Sequence, residues 1–171
     1  MTILNTSLFD VPETVLVPAK YLSGGSIGAQ IAYGREMSLM IATRQPGYHS
    51  RPHLHDAEQL NFVLEGELYV FVEGAGFLAK KNDLFRIPRN AIHWSWVRGK
   101  GPCVLLEAHS PPLVGDKGVT DTAVALMQPA EREGVLAIAS QWPTDFDRDA
   151  AESEILGTAP RHSSEQREAV S

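Results

Sequence analysis

Cysteine is almost missing from this 171-residue chain: Cys103 stands alone. No intrachain disulfide can therefore staple the fold, and a single thiol inside the apolar run Cys103-Val104-Leu105-Leu106 reads as a core residue rather than a reactive one. Long apolar stretches are missing too. None approaches the roughly 18 to 20 residues of a membrane span, and Met1-Thr2-Ile3-Leu4-Asn5 lacks the basic-then-apolar pattern of a signal peptide. A cytoplasmic protein with no membrane contact is the expectation. Positive charge is scarce, since 15 Lys and Arg against 21 Asp and Glu leave a formal charge of −6. That balance argues against affinity for phosphate backbones, and no helix-turn-helix pattern or basic stripe offsets it, so no nucleic-acid partner is expected. Internal repeats are also lacking.

What is present is the alternation of an all-β domain. Hydrophobic residues at 43% and charged residues at 21% are ordinary for a globular chain of one domain. From Tyr33 to Pro112, short apolar or alternating runs are separated by turn residues. They predict strands over Ser38 to Thr43, Gln59 to Leu64, Glu67 to Glu73, Phe77 to Lys80, Leu84 to Ile87 and Cys103 to His109. The turns between them include Gln45-Pro46-Gly47, Glu65-Gly66, Glu73-Gly74-Ala75-Gly76 and Lys81-Asn82-Asp83. With no long helix pattern between strands, antiparallel pairing follows, because parallel pairing needs longer crossovers.

Flanking segments divide the chain further. Residues 1–34 read as an extended N-terminal arm with two strands, Thr14 to Leu22 and Ala29 to Tyr33, able to pair with a sheet edge of its own or of a partner. Residues 35–112 hold the strand-rich domain. Residues 113–157 form a C-terminal extension with apolar runs at Ala123 to Met127 and Val135 to Ala139 and a short helix from about Asp147 to Leu156. Residues 158–171 read as a flexible polar tail.

The chemistry concentrates in Gly47-Tyr48-His49-Ser50-Arg51-Pro52-His53-Leu54-His55-Asp56-Ala57-Glu58-Gln59. Two histidines two residues apart on an extended chain place both imidazoles on one face. Gln59 follows closely, and about 34 residues later the strand Leu84 to Ile87 leads through Pro88 to His93. Neutral imidazoles converging in one place are what a transition metal needs.

These segments resemble the two motifs of the cupin superfamily: glycine, five residues, His-x-His, three or four residues, Glu, six residues, glycine, then a second motif ending in a metal-binding histidine. Gly47, His53, His55, Gly66, Pro88 and His93 match. Gln59 stands where the family usually has Glu, Asn82 and Asn90 replace glycines, and Val97 replaces a final Asn. Asn tolerates positive φ, so those two replacements are mild. The resemblance covers about residues 35 to 112. It implies an all-β double-stranded β-helix, a jelly-roll-like barrel, holding one divalent ion per chain (Fe, Mn, Ni, Co, Cu or Zn) with His53, His55, Gln59 and His93. Glu58 competes with Gln59 as fourth ligand, although the spacing back from Gly66 favours Gln59. Three imidazoles and an amide are all neutral, so the ion would keep its double charge and act as a Lewis acid.

Strand parity suggests further residues. His49 and Arg51 share the face of His53 and His55 if the chain stays extended through Pro52, and Arg51 would then meet a substrate carboxylate or enolate. Asn61, two residues after Gln59, would line the cavity. Trp94 and Trp96 would either wall a pocket for a planar substrate or pack in the core. Glu107 and His109 alternate on the last strand as an acid-base pair if that face is inward, and as surface residues if it is not. His49, Glu107 and His109 are thus the catalytic candidates. The functions in view are a metal-dependent isomerase, cyclase or lyase acting on a small enolisable, cyclic or aromatic metabolite, a dioxygenase using Fe, Ni or Cu, and a non-catalytic small-molecule binder or sensor. A homodimer through the outer sheet is expected from the same resemblance.

Overall fold

The computed structural model describes residues 4–157. The tail expected over residues 158–171, like the first three residues of the arm, lies outside the described residues. The strands are β1 (Thr14–Val15), β2 (Leu22–Gly24), β3 (Ile27–Tyr33), β4 (Ser38–Arg44), β5 (His49–Ser50), β6 (Glu58–Glu65), β7 (Glu67–Val72), β8 (Ala75–Lys80), β9 (Leu84–Ile87), β10 (His93–Trp96), β11 (Cys103–Ser110) and β12 (Val124–Ala125). The helices are α1 (Val119–Thr122) and α2 (Arg148–Gly157).

Two sheets face each other. One runs β1-β3-β4-β11-β6-β9, with β12 added parallel on β3, and the other runs β2-β5-β10-β7-β8. Every other pairing is antiparallel. This is the jelly-roll-like barrel the motifs imply. Alternation of side chains builds its core: Met40 and Ala42 of β4, Val63 of β6, Leu68 and Val70 of β7 and Leu105 of β11 all point between the sheets and are buried. Cys103 is fully buried among them, and burial pushes its thiol up to about 11.

Turn chemistry explains the connections. Gly66, between β6 and β7, has φ of 76°, and a Cβ there would sit 2.3 Å from the Pro102 carbonyl oxygen. Only glycine fits. Asn82 (φ 74°) and Asn90 (φ 61°) take up the left-handed conformation for which asparagine is tolerated. Glu73 (φ 47°) and Gly74 (φ 82°) close the β7–β8 hairpin with positive φ at both positions, which matches the twist of the flanking strands.

The N-terminal segment differs from its expectation. Thr14 to Leu22 is not one strand. Pro18, which lacks a backbone donor, interrupts it, and a 3-10 turn at Ala19–Tyr21 carries the chain from β1 in the first sheet to β2 in the second. β3 then pairs with β4 along its whole length, from Ile27 opposite Arg44 to Tyr33 opposite Ser38. The arm thus adds strands to its own chain's sheets. A second difference is His93, which begins β10 rather than sitting in a loop beyond β9. The helix of the extension forms where expected, with Asp147 accepting from the Ala150 N–H at 3.0 Å as its cap. None of the described helices is long and apolar enough to cross a membrane.

Candidate metal centre

Polar residues interrupt the inner face of the first sheet at one end. On β11, Glu107 and His109 follow Cys103 and Leu105 on the buried face, and on β6 Gln59 and Asn61 precede Val63. The register sets His109 opposite Gln59 and Glu107 opposite Asn61. Four polar side chains therefore share a small inward patch where apolar residues would cost nothing to bury. Arg44, at the end of β4, reaches back to it.

His53 and His55 come from the segment after β5. His53 is tied to His93 by a pair of backbone bonds, N–H to O at 3.0 Å and 2.8 Å in the two directions, and the Asn90 N–H donates to the His55 carbonyl at 2.9 Å. The ligand atoms of His53, His55 and His93 all lie within 4.8 Å of one another. Their orientation is set from behind. Nδ1 of His53 contacts the Arg51 carbonyl at 3.3 Å, Nδ1 of His55 the Ala57 carbonyl at 3.0 Å, and Nδ1 of His93 the Ala91 carbonyl at 2.9 Å. A carbonyl only accepts, so each Nδ1 carries the proton and each Nε2 keeps a free lone pair. Burial, then the neighbouring histidines, holds His53 well below the ordinary imidazole value. Burial likewise lowers His93 to about 3, and lowers His55 against the pull of the Ala57 and Gln59 oxygens beside it. The triad is neutral at physiological pH.

Gln59 completes the arrangement. Its Nε2 donates to Asn61 Oδ1 at 2.6 Å and to Glu107 Oε2 at 3.0 Å, which uses both amide protons and fixes which end is oxygen. Oε1 consequently faces His55 Nε2 at 3.1 Å. Both atoms present lone pairs, and no proton is left to place between them. A cation drawing on both lone pairs resolves the conflict, so the donor set fits a divalent metal. Glu58 points elsewhere and pairs with Arg86 at 2.6 Å on the exposed side.

Behind Gln59, Glu107 is clamped by Arg44 Nη1 at 2.6 Å. Burial works against the Arg44 charge, but Glu107 outweighs it and raises the guanidinium above its ordinary value. His109 is buried with its ring 5.4 Å from that of His55, and burial, reinforced by His55 and Arg44, keeps it well below the ordinary value. The cavity these residues line encloses about 50 Å³.

Several residues fall elsewhere than parity suggests. β5 ends at Ser50, Arg51 beyond it is exposed, and Arg44 is the arginine inside. His49 lies beneath α2, its Nε2 2.7 Å from Glu152 Oε1 and its ring stacked on Trp96 at 4.4 Å. Trp94 borders the cavity, but its indole stacks on Phe71 and donates to Glu152 at 2.6 Å. The aromatic wall is Trp142 of the extension, stacked on His53 at 4.6 Å and on Tyr21 at 4.2 Å. Trp142 carried no sequence signal, since contacts across 121 and 89 residues are invisible in a linear pattern. Arg44 did carry one: Ser38, Met40 and Ala42 set an inward parity that Arg44 continues.

Residues 40–109 match the cupin domain family. The chain is 37% identical over 106 residues to germin-like protein subfamily 2 member 2 of Arabidopsis thaliana, covering 58% of this chain and 48% of that protein. It spans between 40% and 50% of the length of the germin-like proteins and nectarins it matches. Among solved structures, an RmlC-like cupin from Shewanella frigidimarina superposes with a TM-score of 0.53 at 20% identity, covering 62% of this chain and 88% of that one. A cupin-like protein from Thermotoga maritima gives 0.53 at 14% identity, covering 84% and 96%. At these identities the likeness shows the fold alone.

Proposed function

The chain contains a cupin domain, residues 40–109, and from that premise we propose that it is a metal-dependent enzyme acting on a small enolisable metabolite. One observation carries the reading: the lone pairs of His55 Nε2 and Gln59 Oε1 meet at 3.1 Å with no proton to share. A divalent ion held by three imidazoles and an amide oxygen supplies Lewis acidity towards a carbonyl.

The residues around it divide the work. His53, His55, Gln59 and His93 are the ligands, and the three backbone carbonyls behind the imidazoles hold them in the ligating tautomer. Glu107 positions the Gln59 amide, and its ion pair with Arg44 keeps that carboxylate from adding charge to the centre. Its oxygens are both engaged, so Glu107 is a positioning residue rather than a proton carrier. His109, neutral and buried beside the triad, lines the cavity next to the ligand set. Trp142, stacked on His53, gives the cavity an aromatic wall.

A homodimer through the outer face of the first sheet belongs to the same proposal. Leu39, Ala108 and Leu60 align there in one register row, and Leu39, Leu60 and Leu84 are exposed. Sedimentation giving a monomer would remove it.

Elemental analysis of the purified chain is expected to find about one divalent ion, lost in a His53→Ala, His93→Ala variant. Full metal retention in that variant would overturn the assignment. Dioxygen uptake tied to a bound redox ion would move the chemistry to oxygenation.

A further inference from the structure

Among the described residues, three buried polar side-chain atoms have no hydrogen-bond partner: Arg44 Nε, Asn61 Nδ2 and His109 Nδ1. All three residues line the one cavity that holds the histidine triad, and they are 7%, 1% and 1% exposed. Unpaired buried groups are rare and each is costly, roughly 1 to 3 kcal/mol. Three around one cavity point to a ligand.

Their chemistry restricts what that ligand is. A guanidinium nitrogen has no acceptor capacity, and Asn61 already spends its oxygen on Gln59. Both atoms can only donate. The Nδ1 of His109 donates when it carries the ring's proton. A ligand that satisfies them must present acceptor oxygens with no competing donors. Inside the protein the formal charges cancel, since Arg44 faces Glu107 and the ligand set is neutral. An anion is therefore not repelled, and a bound divalent ion would attract it. Size narrows the class further, because about 50 Å³ is room for roughly four waters.

We propose that Arg44, Asn61 and His109 form a recognition subsite for a small carboxylate of about two to four carbons. This rests on the cavity being the working site proposed above, and not on which metal it holds. Arg44 takes the carboxylate-binding part that parity would have given to Arg51.

Isothermal titration calorimetry tests this on the full chain, zinc-loaded and metal-stripped, with acetate, the neutral isostere acetamide and inorganic phosphate as probes. Acetate is expected to bind about tenfold more tightly than acetamide. Arg44→Lys keeps the charge facing Glu107 but removes Nε, and His109→Phe keeps the ring shape but removes both nitrogens. Each should weaken acetate about tenfold while zinc content stays at the wild-type level. If Arg44→Lys fails to fold, His109→Phe decides. Equal affinity for acetate and acetamide, tighter binding of phosphate than acetate, or acetate affinity unmoved in the variants overturns the subsite. Failure of the metal reading looks different: zinc does not bind, yet the stripped protein still selects acetate and loses that selectivity in the variants.

Discussion

The chain buries two histidine and glutamate clusters, one inside the barrel and one beneath α2, and their hydrogen bonding differs. Under the helix, a single Glu152 oxygen takes contacts from His49 at 2.7 Å and Trp94 at 2.6 Å, with Arg148 at 3.8 Å. Its donors and acceptors match, and the result is a clamp holding α2 to the second sheet. In the barrel, Glu107 is as well paired, but the cluster around it keeps three unpartnered atoms and two lone pairs facing each other. All the unpartnered buried side-chain atoms among the described residues belong to this second cluster. The closed cluster is satisfied within the fold, whereas the open one is where the proposed ligand would find its partners.

The contrast yields graded expectations. The largest concerns metal: His53→Ala with His93→Ala should abolish stoichiometric binding by elemental analysis, whereas His49→Ala should leave it intact. Loss of metal in the His49 variant would erase the distinction. Next, Glu107→Ala removes the partner of a buried guanidinium and should cost about 3 to 5 kcal/mol in denaturant unfolding. It should also weaken metal retention, because the Gln59 amide loses one of its anchors. Glu152→Ala should cost less, about 1 to 3 kcal/mol, and leave metal content unchanged.

The smallest expectation is a slope. Burial lowers His93 to about 3 and His53, His55 and His109 below the ordinary value. Below about pH 6.5 the unfolded chain binds protons that the folded state refuses, so stability of the metal-free protein falls as pH drops. Each such histidine adds to the slope only between about pH 6.5 and its lowered folded value. Urea midpoints measured from pH 7 to pH 5 check the sign, and a rise in stability on acidification would contradict it.

Much of this was legible in the chain. The strands at β4, β6, β7, β8, β9 and β11 follow from alternation and turn residues, and their predicted boundaries fall within two residues of the observed ones. The pattern weakened where segments were short. β5 and β10, of two and four residues, give no periodicity to read. β10 matters because its alternation turns His93 inward and the Trp94 indole towards α2, which separates two neighbours that looked like one functional stretch.

By itself, the sequence determined the barrel and the convergence of His53, His55 and His93. Period-2 geometry and turn residues act locally, and spacing between them fixes which strands can meet. Only the tertiary structure decided that Arg44 rather than Arg51 enters the cavity, that His49 belongs to a helix clamp, and that Trp142 lines the cavity. Those outcomes depend on packing between segments far apart in the chain, which leaves no periodic trace. The direction of the Gln59 amide is of the same kind. Asn61 and Glu107 set it, and Glu107 lies 48 residues away on the neighbouring strand.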